Sequence, residues 1–353
     1  MNRSEFKMII REGLIELELN SIAKGNGPGR KAPGYYSQAM VISRDLTISV
    51  LKNYFYGSFK ALDMLGGSGI RGLRIEKECK AEVTINDNNP KALEIIKRNR
   101  ELNFSKARIT SLDASRCIEN FYDYIDIDPY GSPVPFLDPA LKSIKKYGLI
   151  GVTATDLPNL TGTNFKKGIE LYHSKIIRNY YSHESGLRAL ISFIIKRSAE
   201  YELALRPILS FYGGYYYRIF FKVEKGSKKL EKNLDYIQSL NYLSRNKELG
   251  PIWIGNIHDT SFIKNLIIED YMQNSEKIKK YKEIFLNENI LFFYSLEELS
   301  KKFKRNIPKI DEFISYLKDL GYSASRTQFS NIGIKTNASF VTLRKIFNER
   351  FIK

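Results

Sequence analysis

The chain has 353 residues, 43% hydrophobic and 13% aromatic, which fits a two-domain globular protein with a substantial core. Its 56 Lys+Arg against 39 Asp+Glu leave a formal net charge of +17, favouring polyanionic partners: nucleic acid first, an anionic membrane surface second. Two cysteines (Cys79, Cys117) and three scattered histidines (His173, His183, His258) exclude a disulfide framework or a cysteine-rich zinc site, and no metal is expected. No apolar stretch nears the ~20 residues of a bilayer span, and residues 1–11 carry scattered charge instead of an apolar leader, so the cytoplasm is the expected compartment.

In chain order, residues 6–19 suit one or two strands, and 25–34 form a basic, glycine-rich loop, fit for a mobile lid, a phosphate contact or an inert surface turn. A helix is expected around 43–51. From 59 to 156 strands (59–65, 82–86, 108–112, 124–127, 148–155) alternate with helices (70–79, 90–102, 134–145). That alternation predicts an α/β architecture with a parallel, doubly wound sheet, whose ligands sit at the carboxyl ends of the strands.

Beyond this core the spacing of apolar residues predicts a long amphipathic helix over 182–204 and two strands within 206–224 joined at Gly213-Gly214. A lysine-rich turn or linker over 222–232 and a strongly charged helix over 264–288 follow, with Asp138 read as a helix start before Pro139. Helices at 295–303 and 308–320, then short strands within 323–335, make a winged-helix-like module over 290–353. That module holds 12 Lys+Arg and 6 Asp+Glu, a surplus suited to phosphate contact, with a pure packing unit as the alternative. The expected division is 1–222, an N-terminal region and Rossmann-like domain with its core at 59–156, and 223–353, a smaller α+β C-terminal domain that binds RNA.

Chemistry concentrates at three strand ends. Gly67, Gly69 and Gly72 form G-x-G-x-x-G between a strand and a helix, where the backbone can approach a ligand closely. Asp87, 20 residues beyond Gly67, closes the next strand, where a carboxylate commonly takes ribose hydroxyls. These two features admit a dinucleotide or S-adenosylmethionine. Asp63 before the loop puts a carboxylate near the methionine part of the latter, while Asp113 could reach an adenine amine and Ala114 leave room for its ring. The run Tyr124-Ile125-Asp126-Ile127-Asp128-Pro129-Tyr130-Gly131-Ser132 then delivers a carboxylate, a rigid carbonyl and an aromatic face together. Such a set can hold a flat heterocycle by its exocyclic amine, although Asp-Pro-x-Gly is also ordinary turn chemistry.

With those residues in place, the chain resembles the tRNA (guanine(26)-N(2))-dimethyltransferase family, archaeal type, over nearly its whole length. The likeness rests on Tyr35-Tyr36, Ser43-Arg44-Asp45, Gly69-Ile70-Arg71-Gly72 and Asp126-Ile127-Asp128-Pro129-Tyr130-Gly131-Ser132-Pro133. It continues through Gly151-Val152-Thr153-Ala154-Thr155-Asp156, His183-Glu184, Gly250-Pro251-Ile252-Trp253 and Ser325-Arg326-Thr327. One proline follows Asp128 where amino-group methyltransferases commonly have two, and Gly66-Gly67-Ser68-Gly69 replaces a frequent Ser-Ala-Thr-Gly. The resemblance implies a Rossmann-like class I methyltransferase domain that uses S-adenosylmethionine, with Arg44, Arg71, Asp87, Asp113 and Ala114 on the cofactor and Asp128 catalytic. It implies N2 methylation of guanosine 26 in tRNA, to the mono- and dimethylated products, with Pro129 beside the amine and Tyr130 and Tyr35 sandwiching the base. A monomer is expected. The competing readings are methylation of another guanine amine in RNA or of adenine N6 in DNA, an NAD-dependent oxidoreductase, and a non-catalytic RNA-binding protein.

Overall fold

The computed structural model describes residues 8–19, 34, 36–116, 121–242 and 247–350. Tyr35 and all but Gly34 of the basic loop at 25–34 lie outside the described residues. The chain falls into two compact units, each built from three segments: residues 1–157, 193–235 and 265–279, and residues 158–192, 236–264 and 280–353.

The first unit is organised by a seven-stranded sheet. Its strands are β1 (Lys60–Asp63), β2 (Glu82–Asn86), β3 (Arg108–Thr110), β4 (Tyr122–Ile127), β5 (Ile144–Ala154), β6 (Ala204–Tyr212) and β7 (Tyr217–Glu224), in the order β3-β2-β1-β4-β5-β7-β6. β1 to β5 run parallel, whereas β7 is antiparallel to both β5 and β6. β4 and β5 are buried almost throughout, the mark of strands covered on both faces. Tyr216 and Tyr217, just after the Gly213-Gly214 turn, are fully buried packing residues.

The helices start where the sequence provides caps. α2 (Ile70–Cys79) opens at Gly69, whose left-handed backbone turns the chain out of β1, and α3 (Pro90–Leu102) opens at Asn89, whose side chain accepts from the Lys91 amide, with Pro90 following. α1 (Val41–Tyr54) is buried from Val41 to Leu51, and α4 (Val134–Ser143) follows β4. Asp138 lies within α4, not at a helix start: its carboxylate holds the Arg197 guanidinium.

Two other expectations fail. The lysine-rich stretch at 222–232 is the end of β7 and the start of a helix, Ser227–Asp235, docked by the Asn233 amide on the Leu205 carbonyl; its lysines are the wet side of an amphipathic helix. Within 264–288 only Lys264, the end of a short helix Thr260–Lys264, and Ser275–Asn287 are helical. Ahead of the latter, residues 265–274 are pinned to α1 by Lys52–Glu269, by Met272 against Ser49, and by Asn274 donating through its amide and side chain to Asp45. Tertiary contacts override helix propensity there.

In the second unit, helices Leu296–Phe303 and Ile310–Asp319 precede strands Ala324–Thr327 and Ser330–Thr336, and a short strand Tyr294–Ser295 completes a three-stranded sheet. A further helix, Phe340–Arg350, absent from the sequence reading, packs Leu343, Ile346 and Phe347 into the same core as Leu299, Phe313 and Leu317. Lys335 is fully buried: its ammonium binds both Glu184 oxygens at 2.7 Å and the Ile290 carbonyl at 2.6 Å. Glu184 also accepts from Arg188 at 2.9 Å, so it is a structural anchor. Lys335 therefore takes no part in any phosphate-binding surface.

Candidate active site

Asp63, Gly67, Gly69, Arg71, Asp87, Asp113, Ala114, Asp128, Pro129 and Tyr130 fall at or just beyond the carboxyl ends of β1 to β4, around the point between β1 and β4 where the strand order reverses. After β1, Gly67 and Gly69 both have left-handed backbone (φ +56° and +82°), open to glycine at no steric cost. The Gly67 amide donates to Asp87 Oδ2 at 2.9 Å, so the carboxylate ending β2 also ties down the loop after β1. The Gly72 amide donates to Asp63 Oδ2 at 2.9 Å.

Asn86, which the sequence reading passed over, joins three strand ends. Its side-chain nitrogen donates to the Met64 and Leu112 carbonyls, and its oxygen accepts from Thr110 Oγ1 and the Leu112 amide. Past β3, Asp113 is exposed and turned by Ser115, whose hydroxyl and amide hydrogen bonds draw its carboxyl below the usual range. Ala114 beside it is buried. Acceptor-only carboxylates after β2 and β3, with a small buried residue next to the second, fit the diol, amine and ring of an adenosine. Among the described residues no group of three His, Cys, Asp or Glu side chains could hold a metal.

The run after β4 is tied to the end of β5: the Gly131 amide donates to Thr155 Oγ1 at 2.7 Å and the Thr155 amide to the Gly131 carbonyl at 3.0 Å. Asp128 is half-buried, Pro129 buried and Tyr130 44% exposed. Arg71, assigned to the cofactor through the resemblance, reaches Asp128 Oδ2 with Nη2, Asp126 Oδ1 with Nε (3.3 Å) and Thr47 Oγ1 with Nη1 (2.9 Å). Asp128 thus meets Arg71 through one oxygen, and among the described residues no donor meets its Oδ1.

Below the surface lies a buried cluster. Asp126 is held by Arg218 through both oxygens and by the Tyr124 hydroxyl; burial would raise its carboxyl, but Arg218 and Arg71 reverse this and keep it below the usual range. Asp63 has no such guanidinium of its own, and burial, reinforced by Asp126, pushes it up to about 7. Arg44 lies in a second buried network, with Nε and Nη2 on Glu12 at 2.7 and 2.6 Å and Nη2 also on the Ser37 carbonyl at 3.0 Å. Tyr36 and Arg74 complete the shell around Glu12, whose carboxyl burial would raise but Arg44 lowers, to about 2.

The reversed β7 between β5 and β6 separates this sheet from the six-stranded 3-2-1-4-5-6 order of dinucleotide-binding domains. With acidic and glycine-rich strand ends gathered at its crest, it defines a class I S-adenosylmethionine-dependent methyltransferase fold. The sequence profile described as N2,N2-dimethylguanosine tRNA methyltransferase matches residues 28–248 and 240–348. The chain is 35% identical over 350 residues to the tRNA (guanine(26)-N(2))-dimethyltransferase of Thermoplasma volcanium, covering 96% of this chain and 98% of that one. It is 33% identical over 376 residues to the enzyme of the same name from Pyrococcus horikoshii, covering 93% and 97%. A solved complex of Trm1 from Pyrococcus horikoshii with S-adenosyl-L-methionine superposes with a TM-score of 0.84 at 30% identity, over 98% of this chain and all of that one. The chain belongs to the N2,N2-dimethylguanosine tRNA methyltransferase family.

If Asp87 grips the cofactor's ribose, Asp87→Ala weakens S-adenosylmethionine binding by ~1–3 kcal/mol, the scale for a hydrogen bond to a charged group. Calorimetry on folded protein is the measurement, and an unchanged affinity removes Asp87 from the site.

Proposed function

We propose that this chain methylates the exocyclic N2 amine of guanosine 26 in tRNA, forming N2-methyl- and N2,N2-dimethylguanosine, with Asp128, Pro129 and Tyr130 receiving the base. The observation that carries this reading is the half-buried Asp128 carboxylate, steadied on one oxygen by Arg71 beside the glycine loop. Bound S-adenosylmethionine supplies an electrophilic methyl group. Asp87, Asp113, Ala114 and the loop at Gly67 and Gly69 would hold its adenosine, with Asp63, Arg71 and Arg44 nearer the methionine part.

The guanine amine is a poor nucleophile because its lone pair is delocalised into the ring. Asp128 Oδ1 accepting one N–H, and the Pro129 carbonyl a second, turn that lone pair out of conjugation. Asp128 then takes the released proton. Tyr130 stacks on one face of the base. A base from the tRNA core has to leave its stack to reach this pocket. Among the described residues no helix is long and apolar enough to cross a membrane, and the reading is of a cytoplasmic monomer acting on tRNA.

The test is mass analysis of nucleosides after incubating unmodified tRNA with enzyme and S-adenosylmethionine. Methyl groups on N2 of guanosine 26 are expected; their placement at another position overturns the reading.

The helix–helix–hairpin module supplies further tRNA contacts through its exposed lysines. Deleting the module would strip Lys335 from Glu184, so surface substitutions are the cleaner probe. Lys304, Lys309 and Lys345 are exposed, and their joint replacement by alanine lowers the salt slope of tRNA binding by ~2 to 3. An undiminished slope removes this surface from the tRNA interface.

A further inference from the structure

We infer that Arg218, on the reversed strand β7, is a positioning residue for the methyl-transfer site: by neutralising Asp126 it keeps Arg71 on Asp128. The inference rests on the proposed reading of Asp128 as the acceptor of the guanine amine. Arg218 lies 92 residues from Asp126 in sequence, is fully buried, and touches neither the crest of the sheet nor any group assigned to cofactor or base. Five hydrogen bonds fix it: two to Asp126, one to Thr153 Oγ1 (3.1 Å), one to Thr47 Oγ1 (3.1 Å) and one to the Tyr124 hydroxyl (3.0 Å). The sheet makes room for it. A Cβ on Gly151 of β5 would stand 2.5 Å from the Tyr124 hydroxyl and 2.7 Å from Arg218 Nη2, so that position admits no side chain while Arg218 is in place.

Asp126 stands between two guanidiniums. Arg218 engages both of its oxygens, and Arg71 approaches one through Nε alone, keeping Nη2 for Asp128. A fully buried carboxylate that loses its main cation draws in whatever charge can reach it, because leaving it unpaired is strongly unfavourable. Arg71 is the cation within reach. Thr47 couples the two guanidiniums directly: its hydroxyl donates to the Ser43 carbonyl and accepts from both Arg71 Nη1 and Arg218 Nη2. Without Arg218, Arg71 closes on Asp126 and Asp128 loses its fixed orientation.

The experiment compares wild type, Arg218→Met and the double variant Arg218→Met/Asp126→Asn in single-turnover methylation of one defined tRNA at saturating enzyme and cofactor. The temperature is kept below every variant's thermal transition. Arg218→Met is expected to lower the rate by ~100-fold, the scale for misplacing a reacting group, with tRNA affinity little changed. Removing the Asp126 charge as well ends the competition for Arg71, so the double variant is expected to be faster than the single one. A merely structural Arg218 gives no such recovery. A wild-type rate in Arg218→Met, or a double variant no faster than the single, overturns the inference. Should Arg218→Met fail to fold, the double variant decides alone: clear activity above Asp128→Ala supports the inference, and equality with it overturns it. Wild-type enzyme that forms no N2-methylated product overturns the functional reading and this inference with it.

Discussion

Asp128→Ala is expected to bind tRNA normally and to lose ~10²–10⁴-fold in single-turnover rate, the range for removing a general base. Asp128→Asn is the more informative variant, because Arg71 decides which way the amide points. Arg71 Nη2 donates toward Oδ2 of the native carboxylate. In the asparagine variant that donor claims the single amide oxygen, which turns the NH₂ group toward the position of the guanine amine. Donor then faces donor. The variant would lose the orienting hydrogen bond as well as the proton acceptor, so its rate should lie close to that of Asp128→Ala. Product mass analysis with one defined tRNA provides the readout. An asparagine variant near the wild-type rate would show that neither function of the carboxylate limits transfer.

The parts of this site that lie in one short stretch of sequence were legible, and those assembled across the sheet were not. Gly67, Gly69, Asp87 and Asp113 could be placed at strand ends because apolar runs and caps such as Asn89-Pro90 mark where each strand stops. Asp126 carried a signal too, since an acid inside an otherwise apolar strand demands a buried cation. Nothing in the sequence said which of 56 basic residues would supply it, and it came from Arg218 on β7, which is not a neighbour of β4 but is separated from it by β5. Glu12 and Arg44 are a similar case, joined across 32 residues from the strand Met8–Glu12 to α1. Arg71 shows the limit most clearly: the resemblance attached it to the cofactor, and the fold also gives it Asp126 and Asp128 as partners. Charge patterning misled where lysines were read as linker at 222–232, and the charge surplus of 290–353 counted Lys335 although it is enclosed, because such patterning does not reveal which lysine will be buried.

Cofactor affinity is expected to fall steeply as the pH drops below neutrality, and the cause is a charge count at the ends of β1 and β4. Asp63, Asp126 and Asp128 share two guanidiniums, Arg71 and Arg218, and Asp63 is the carboxylate left over. Burial first and Asp126 second push its carboxyl up to about 7, so near neutrality it is poised between its two forms. S-adenosylmethionine brings positive charge in its sulfonium and ammonium groups, and a carboxylate at the glycine loop attracts it only when ionised. If binding requires the ionised form, the association constant falls about tenfold per pH unit well below the folded-state value, or ~50-fold between pH 7 and pH 5. The proton should be released on binding near pH 7, which calorimetry in buffers of different ionisation enthalpy measures directly. Asp63→Asn, whose amide oxygen can still accept from the Gly72 amide, should bind more weakly at pH 8 and lose this dependence. Stability carries the opposite consequence. A carboxyl raised above its unfolded value of 3.8 holds its proton longer in the fold, so its contribution is fully present below about 3.8 and is lost as the pH rises to about 7. Asp63→Asn should therefore unfold at higher denaturant concentration than wild type at pH 8 and show no such advantage at pH 4. A pH-independent cofactor affinity in the wild type, with no proton released, would mean that Asp63 stays in one ionisation state throughout and that Arg71 alone balances the charge at this end of the sheet.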